Sequence, residues 1–266
     1  MEKQIALSVE HLTINVSTLH GMKPIVNEVS FQLKKGEVLG LVGASGSGKT
    51  MTCLAILGLL QEAARIEQGS IYLGNRNLLK LNPHQMRGVR GSDIAVIMQN
   101  PMSAFNPTIT IGQHFIETLC AHRSFSRREA RELAMTYLNK TGLPYPNKIL
   151  DQHPFQLSGG MLQRVMIAIA MSLQPAVLIA DEPTTALDTV HQVQILEQMY
   201  SLCQEQETAM LLVSHDLGVI AYMADEVAVM HNGCIVEKAF VHDLFDRPQH
   251  LYTRMLLQAR PGIDLA

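Results

Sequence analysis

The sequence lacks several features that would point to other classes of protein. It has no tryptophan, only 5% aromatic residues, and four cysteines that form no CxxC pair. Scattered cysteines are typical of reduced thiols in a cytosolic protein rather than of a disulfide framework. A formal net charge of −3 argues against a nucleic-acid binder held by bulk electrostatics, so we expect no nucleic-acid partner.

Long apolar runs are also missing. The longest, CLAILGLL and VMIAIAM, are well short of the roughly 18 residues that a membrane-spanning helix needs. The first residues, MEKQIALSVEHLTI, have neither the apolar core nor the small-residue cleavage site of a signal peptide. We therefore expect a chain that does not cross a membrane by itself.

The hydrophobic pattern at the start of the chain predicts strands. Apolar and polar residues alternate in ALSVEHLTINV and VNEVSFQL, which favours an antiparallel β-rich start. The apolar residues 38–42 predict a buried strand, and residues 49–60 predict the helix that follows it.

The pattern becomes helical from about residue 100 to residue 174. Ser126, with a glutamate three residues later, indicates a capping box, and Gly142 indicates a helix C-cap. Short β-type runs return at AVLIAD and AMLLVSH, and Asn232 followed by glycine predicts a hairpin. The outline is an α/β chain with a β-rich start and an inserted helical segment.

The segment GASGSGKT lies between the predicted strand and helix and fits the pattern G-x-x-x-x-G-K-[ST]. Glycines let backbone N–H groups converge on a phosphate, Lys49 would reach the β- and γ-phosphates of a bound nucleotide, and the Thr50 hydroxyl would ligate Mg²⁺. The alternative, a glycine-rich turn beside a solvated lysine, is disfavoured by the strand–loop–helix setting. The predicted phosphate-binding residues are Gly43, Ser45, Gly46, Gly48, Lys49 and Thr50.

A second candidate site follows the run VLIADEPTTALD. Four apolar residues bring Asp181 to the end of a strand, where ligands of open α/β sheets bind. Asp181 suits a role at Mg²⁺, and Glu182 could polarise the attacking water as a general base. The alternative is that these carboxylates only cap a helix, which the phosphate loop makes less attractive.

With QLSGGMLQR between the two sites and LLVSHD after them, the chain resembles the nucleotide-binding subunit of ABC transporters. The resemblance covers nearly the whole chain and implies a P-loop NTPase core with an antiparallel β subdomain and an inserted α-helical subdomain. It implies one domain over residues 1–266, with the core at about 1–98 and 175–266 and the helical subdomain at about 99–174.

The resemblance also assigns roles to further residues. Two such domains are implied to pair head to tail, so that Ser158 and Gly160 of one face the ATP phosphates held by the other. Gln99 matches the loop that contacts Mg²⁺ and water, His215 the histidine that holds the γ-phosphate, and Asp188 the loop between the paired domains. Ser158 opens a predicted helix, so its N-terminus offers an anion site on physical grounds as well.

Two positions depart from the family pattern. Met161 stands where the signature usually has glutamine, with Gln163 two residues later. The aromatic residue that commonly stacks on adenine is missing before the P-loop, and His20 lies closest to its position.

Three segments resemble the subclass that imports peptides and nickel: IMQNPMSAFNPTITIGQ, the region from SGGMLQR to IADEPTTALD, and the tail RPQHLYTRMLLQARP. Within them, MQNPMSAFNP and GGMLQR are most similar to the nickel-import subunits, including those that import nickel–chelator complexes. Nickel or a nickel–chelator complex is therefore the expected cargo, with di- or oligopeptides as the alternative. The implied partners are two permease subunits, a second and different ATP-binding subunit, and a separate substrate-binding protein, at the cytoplasmic face of the inner membrane. The turn NPMSAFNP is expected to form the groove that receives the permease.

The sequence leaves two alternatives from other functional classes. The first is a soluble ABC ATPase of translation or DNA repair. The translation type normally carries two nucleotide-binding halves, whereas one such domain is predicted here, and the repair type carries a long coiled coil that the sequence does not predict. A regulatory module without catalysis would have lost Lys49, Glu182 or His215, and all three are present.

Overall fold

The structure is a computed structural model that describes residues 3–19, 21–184 and 189–258. The strands are, in chain order, β1 (Ile5–Thr18), β2 (Gly21–Lys34), β3 (Val38–Val42), β4 (Ala64–Leu73), β5 (Arg76–Asn77), β6 (Ile94–Ile97), β7 (Val177–Asp181), β8 (Ala209–Val213), β9 (Glu226–His231) and β10 (Cys234–Phe240). The helices are α1 (Lys49–Ile56), α2 (Pro83–Val89), α3 (Ile111–His122), α4 (Arg127–Lys140), α5 (Pro146–Leu150), α6 (Gly159–Ser172), α7 (Thr189–Glu205), α8 (Leu217–Met223), α9 (Val241–Asp246) and α10 (Leu251–Gln258).

The chain divides into two compact units. The first unit consists of Met1–Met86 and Ala209–Ala266, and the second of Arg87–Thr208. In the described ranges, no helix is long and apolar enough to cross a bilayer.

The first unit contains two groups of strands. One is an antiparallel sheet in the order β2-β1-β4-β5, as the alternating pattern predicted. In the other group, β3 is parallel to both β8 and β9, and β10 closes the edge antiparallel to β9. All residues of β3 and β8 are buried, because strands of a parallel sheet are covered on both faces.

The second unit contains the parallel strands β6 and β7 and the helices α3 to α7. The capping box at the start of α4 is confirmed, since Ser126 Oγ accepts from Glu129 N and the Glu129 carboxylate accepts from Ser126 N. Gly142 ends the same helix with φ 68°, a conformation that favours glycine.

Helix α1 is shorter than predicted. The sequence pattern favoured a helix to residue 60, but α1 ends at Ile56. Gly58 adopts φ 62°, and Leu59 N donates to Leu54 O, which is the hydrogen bond of a left-handed glycine stop. The apolar spacing continues past the helix because Leu57 is still buried.

Candidate functional site

The P-loop lies between β3 and α1 and surrounds the ammonium group of Lys49. Lys49 Nζ donates to Gly43 O at 2.8 Å and to Ala44 O at 3.0 Å, and Lys49 is only 8% exposed. Gly48 precedes α1 with φ 110°, a conformation that L-residues with a Cβ rarely adopt. The loop therefore concentrates positive charge and backbone N–H groups at the start of a helix, as a phosphate cradle requires.

The hairpin turn between β9 and β10 forms one wall of this loop. A Cβ at Gly43 would lie 2.1 Å from Met230 O, and Gly233 N donates to Ser47 O at 3.0 Å. The turn itself was predicted from Asn232 and the following glycine, which adopt φ 48° and 84°. Its position against the P-loop was not predicted, because nothing in the pattern links segments nearly 190 residues apart.

His215 lies at the same edge of the first unit as the P-loop. Leu41 of β3 pairs with Val213 of the parallel strand β8. Gly43 comes two residues after Leu41, and His215 comes two residues after Val213. The His215 side chain is exposed. The next residue, Asp216, caps α8 by accepting from Gly218 N at 2.7 Å. The register thus brings the histidine to the carboxyl ends of the strands, where ligands of such sheets bind.

The second unit brings Gln99 and Glu182 together by the same kind of register. Ile97 of β6 pairs with Ala180 of the parallel strand β7. Gln99 comes two residues after Ile97, and Glu182 comes two residues after Ala180. Gln99 Nε2 donates to a carboxylate oxygen of Glu182 at 3.0 Å. Glu182 has φ 48°, an uncommon conformation for a residue other than glycine that costs about 1–3 kcal/mol and is concentrated at functional sites.

Asp181 is the last residue of β7 and is half-buried, while Val177 to Ala180 before it are completely buried. The strand thus carries the carboxylate from the core of the second unit to the edge of the sheet. Asp181 ends a strand and Glu182 begins the turn after it. Because consecutive side chains point in different directions, the two carboxylates can contact different ligands.

Ser158 caps the N-terminus of helix α6, which confirms the prediction that this serine opens a helix. Its hydroxyl accepts from Met161 N at 3.3 Å, and Gly160 lies in the first turn of the helix. Gln163 is 2% exposed, so its amide is inside the second unit and cannot replace the missing signature glutamine at the exposed end of α6. The predicted residues Asp188 and His20 lie outside the described residues.

Arg164 connects α6 to two other parts of the second unit. Its guanidinium donates to Thr141 O after α4 at 3.0 Å and to Gln198 Oε1 of α7 at 2.7 Å. Burial lowers the pKa of Arg164. The helix whose N-terminus carries Ser158 is thereby held against α7.

The comparisons with known proteins show the fold and the family of the chain. A solved dimeric ATP-binding cassette in a post-hydrolysis state, bound to ADP and Pi, has a TM-score of 0.78 to this chain, with 24% identity over 88% of this chain and 98% of that one. The chain therefore has the fold of an ABC ATPase domain, with its antiparallel β subdomain. The family model described as ABC transporter matches residues 26–185, and the chain belongs to this family, whose ligand is ATP.

Two curated relatives match almost all of the chain. The dipeptide transport ATP-binding protein DppD of Bacillus subtilis (strain 168) is 44% identical over 266 residues, which are 100% of this chain and 79% of the relative. The metal-staphylopine import system ATP-binding protein CntD of Staphylococcus aureus (strain NCTC 8325 / PS 47) is 42% identical over 258 residues, which are 97% of this chain and 94% of the relative.

Proposed function

We propose that the chain is the ATP-hydrolysing subunit of an ABC importer and that the cargo of this importer is a peptide. The observation that carries the catalytic part is the hydrogen bond between Gln99 and Glu182 at the ends of two parallel strands. The assignment of peptides is supported by the similarity to DppD over the whole chain.

The P-loop fits the phosphate chain of ATP. A Cβ at Gly43 or Gly48 would collide with Met230, so glycine is needed for the loop to bend this closely, and the Lys49 ammonium donates to the Gly43 and Ala44 carbonyls of the loop. Thr50, next to Lys49, offers a hydroxyl oxygen that would hold Mg²⁺ beside the phosphates. Gln99 and Asp181 offer the amide and carboxylate oxygens that Mg²⁺ also prefers, and they stay candidates for the metal from the sequence alone. Bound Mg-ATP would supply an electrophilic γ-phosphorus, with ADP as the leaving group.

The residues of the chain then act by position and charge. The Glu182 carboxylate accepts the proton of the attacking water, and the Gln99 amide orients Glu182 through their hydrogen bond. His215, exposed at the end of β8, contacts the γ-phosphate. Ser158 and the N-terminus of α6 act on the ATP that a second nucleotide-binding subunit holds, since a helix start binds anions.

The second unit contains a groove suited to the permease. A cavity of ≈ 240 Å³ is lined among others by Met98, Ala104, Phe105 and His114. Phe105 is 8% exposed and meets the His114 ring edge-on at 5.0 Å, so two of the lining side chains pack against each other. Ala104 is exposed at the rim. A short amphipathic helix of the permease would place its apolar face here.

The expected nickel cargo gives way to peptides in this proposal. The sequence analysis placed nickel import first and peptide import second, and the similarity to DppD favours the second. The similarity to CntD supports a metal–chelate complex as the other candidate.

The test is transport by the assembled complex in proteoliposomes, with its permeases, partner ATPase and binding protein. Labelled dipeptide, free Ni²⁺ and Ni²⁺ bound to a staphylopine-type chelator are offered in parallel. We expect uptake of dipeptide that requires ATP and stops in Lys49→Ala. Uptake of the chelate alone would mean that the cargo is a metal complex and not a peptide. ATP hydrolysis that is independent of any cargo would contradict the assignment as an importer.

A further inference from the structure

The tail motif, which we define as residues 249–253 (QHLYT), has a fixed place in the first unit. The Glu237 carboxylate of β10 accepts from Gln249 N at 2.7 Å and from His250 N at 2.9 Å. His250 Nδ1 accepts from Tyr252 N at 3.2 Å, and Thr253 is completely buried. The start of α10 is thereby held against β10.

Tyr252 extends from this anchored motif to the P-loop. Its ring stacks on the His231 ring at the end of β9, with centroids 3.7 Å apart and an interplanar angle of 25°. Its hydroxyl accepts a hydrogen bond from Ala44 N at 3.0 Å. Ala44 is the second residue of the P-loop, so one side chain joins the C-terminal helix, the β9–β10 hairpin and the nucleotide loop.

The same hairpin holds the other half of the loop directly. Gly233 N donates to Ser47 O at 3.0 Å, while Ala44 is held through Tyr252 and His231. The P-loop is therefore held at two points three residues apart, at Ser47 by the β9–β10 turn and at Ala44 by Tyr252. A segment containing three glycines loses much backbone freedom when it is ordered, and contacts that order it in advance lower the cost of binding a ligand.

We propose that Tyr252 is a positioning residue that holds the P-loop in its ATP-binding conformation. The proposal rests on the proposed function of this loop as the ATP site. The hydroxyl is the decisive group, because it takes the Ala44 N–H and so sets the direction of the backbone at the entrance of the loop before ATP arrives. The ring and its stack on His231 aim that hydroxyl.

The test uses the purified full chain and compares Tyr252→Phe with the parent. Phenylalanine keeps the stack on His231 and removes only the acceptor for Ala44 N. Because a net hydrogen bond corresponds to about two- to tenfold in an equilibrium constant, we expect the Kd and the KM for ATP to rise by about two- to tenfold. The kcat stays that of the parent, and the loss of one exposed hydrogen bond lowers the melting temperature by at most about 6 °C. Tyr252→Leu, which also loses the stack, raises the KM further.

The matched control is Tyr145→Phe, since Tyr145 is an exposed tyrosine of the second unit, and its ATP affinity stays unchanged. An unchanged KM in Tyr252→Phe would overturn the proposal. So would a lower kcat at unchanged KM, because that pattern reports a smaller folded fraction. Failure of the parent to bind ATP, or binding that persists in Lys49→Ala, would overturn the proposed function and this inference with it.

Discussion

Gly43 opens the P-loop at a point where the backbone of β9 lies directly against it. A Cβ there would lie 2.1 Å from Met230 O and 2.8 Å from Ser47 Oγ, whereas ordinary contacts begin at 3.4 Å. Met230 pairs with Ile235 in the β9–β10 ladder, so its carbonyl cannot move without breaking strand pairing. Gly43→Ala must therefore displace the loop itself, by about 1 Å.

Two effects follow from that displacement. Overpacking of this kind costs about 1–3 kcal/mol, and each kcal/mol lowers the melting temperature by about 2–4 °C in a chain of this size. A displacement of about 1 Å in groups that position a reactant lowers turnover about a hundredfold. Thermal unfolding and steady-state ATP hydrolysis by Gly43→Ala measure the two effects on the same preparation.

Gly74→Ala is the matched control for backbone conformation. Gly74 has φ 56°, and nothing lies within 4 Å of the position that a Cβ would take, so alanine there costs only the left-handed conformation, about 1–2 kcal/mol. Its turnover should equal that of the parent. Parental turnover and stability in Gly43→Ala would refute the reasoning, since they would mean that the loop tolerates a group in the space next to Met230 O.

Three further predictions concern the other sites. Glu182→Gln keeps an amide oxygen that accepts from Gln99 Nε2 but removes the proton acceptor, so ATP turnover should fall by about 10²–10⁴-fold at an unchanged melting temperature; parental turnover would contradict the assigned base. Although partial burial acts in the opposite direction, N–H donors such as that of Gln249 hold the pKa of Glu237 below its ordinary 4.5. The ionised Glu237 carboxylate therefore stabilises the folded chain fully above that pH, and this contribution is lost as the pH falls through the lower pKa of the folded chain. Urea unfolding should find Glu237→Gln less stable than the parent at neutral pH, and the difference in the free energy of unfolding should become smaller in acid. A difference that does not depend on pH would mean that the charge of Glu237 is not the cause. Ala104→Glu adds a charge at the rim of the groove and should abolish stimulation of ATP hydrolysis by the permease while the basal rate stays parental, and full stimulation would place the permease elsewhere.

Much of the site followed from local pattern. The P-loop, Asp181 and Glu182 were predicted from short segments, because a glycine-rich turn and a carboxylate after a buried run each have their chemistry in adjacent residues. The cap at Ser158 and the capping box at Ser126 followed for the same reason. The hydrogen bond between Gln99 and Glu182 was not predicted, since 83 residues separate them and the resemblance only assigned Gln99 to the loop that contacts Mg²⁺ and water.

Other features depended on tertiary packing. The end of α1 was placed too late because apolar spacing continues into a buried residue that is no longer helical. The chain divides into its two compact units at residues 86–87 and 208–209. The predicted helical subdomain at about 99–174 has other boundaries and stays a prediction.

The sequence by itself determined which chemical groups the candidate site contains, namely a glycine-rich loop with Lys49 and carboxylates after a strand, and its order of motifs marked the chain as a member of the ABC family. Only the tertiary structure decided what supports that chemistry, namely that Tyr252 takes the Ala44 N–H and that Met230 leaves no room beside Gly43. The physical reason is that strand register and loop packing join residues about 190 to 210 positions apart, and no local periodicity records which distant backbone a side chain will meet.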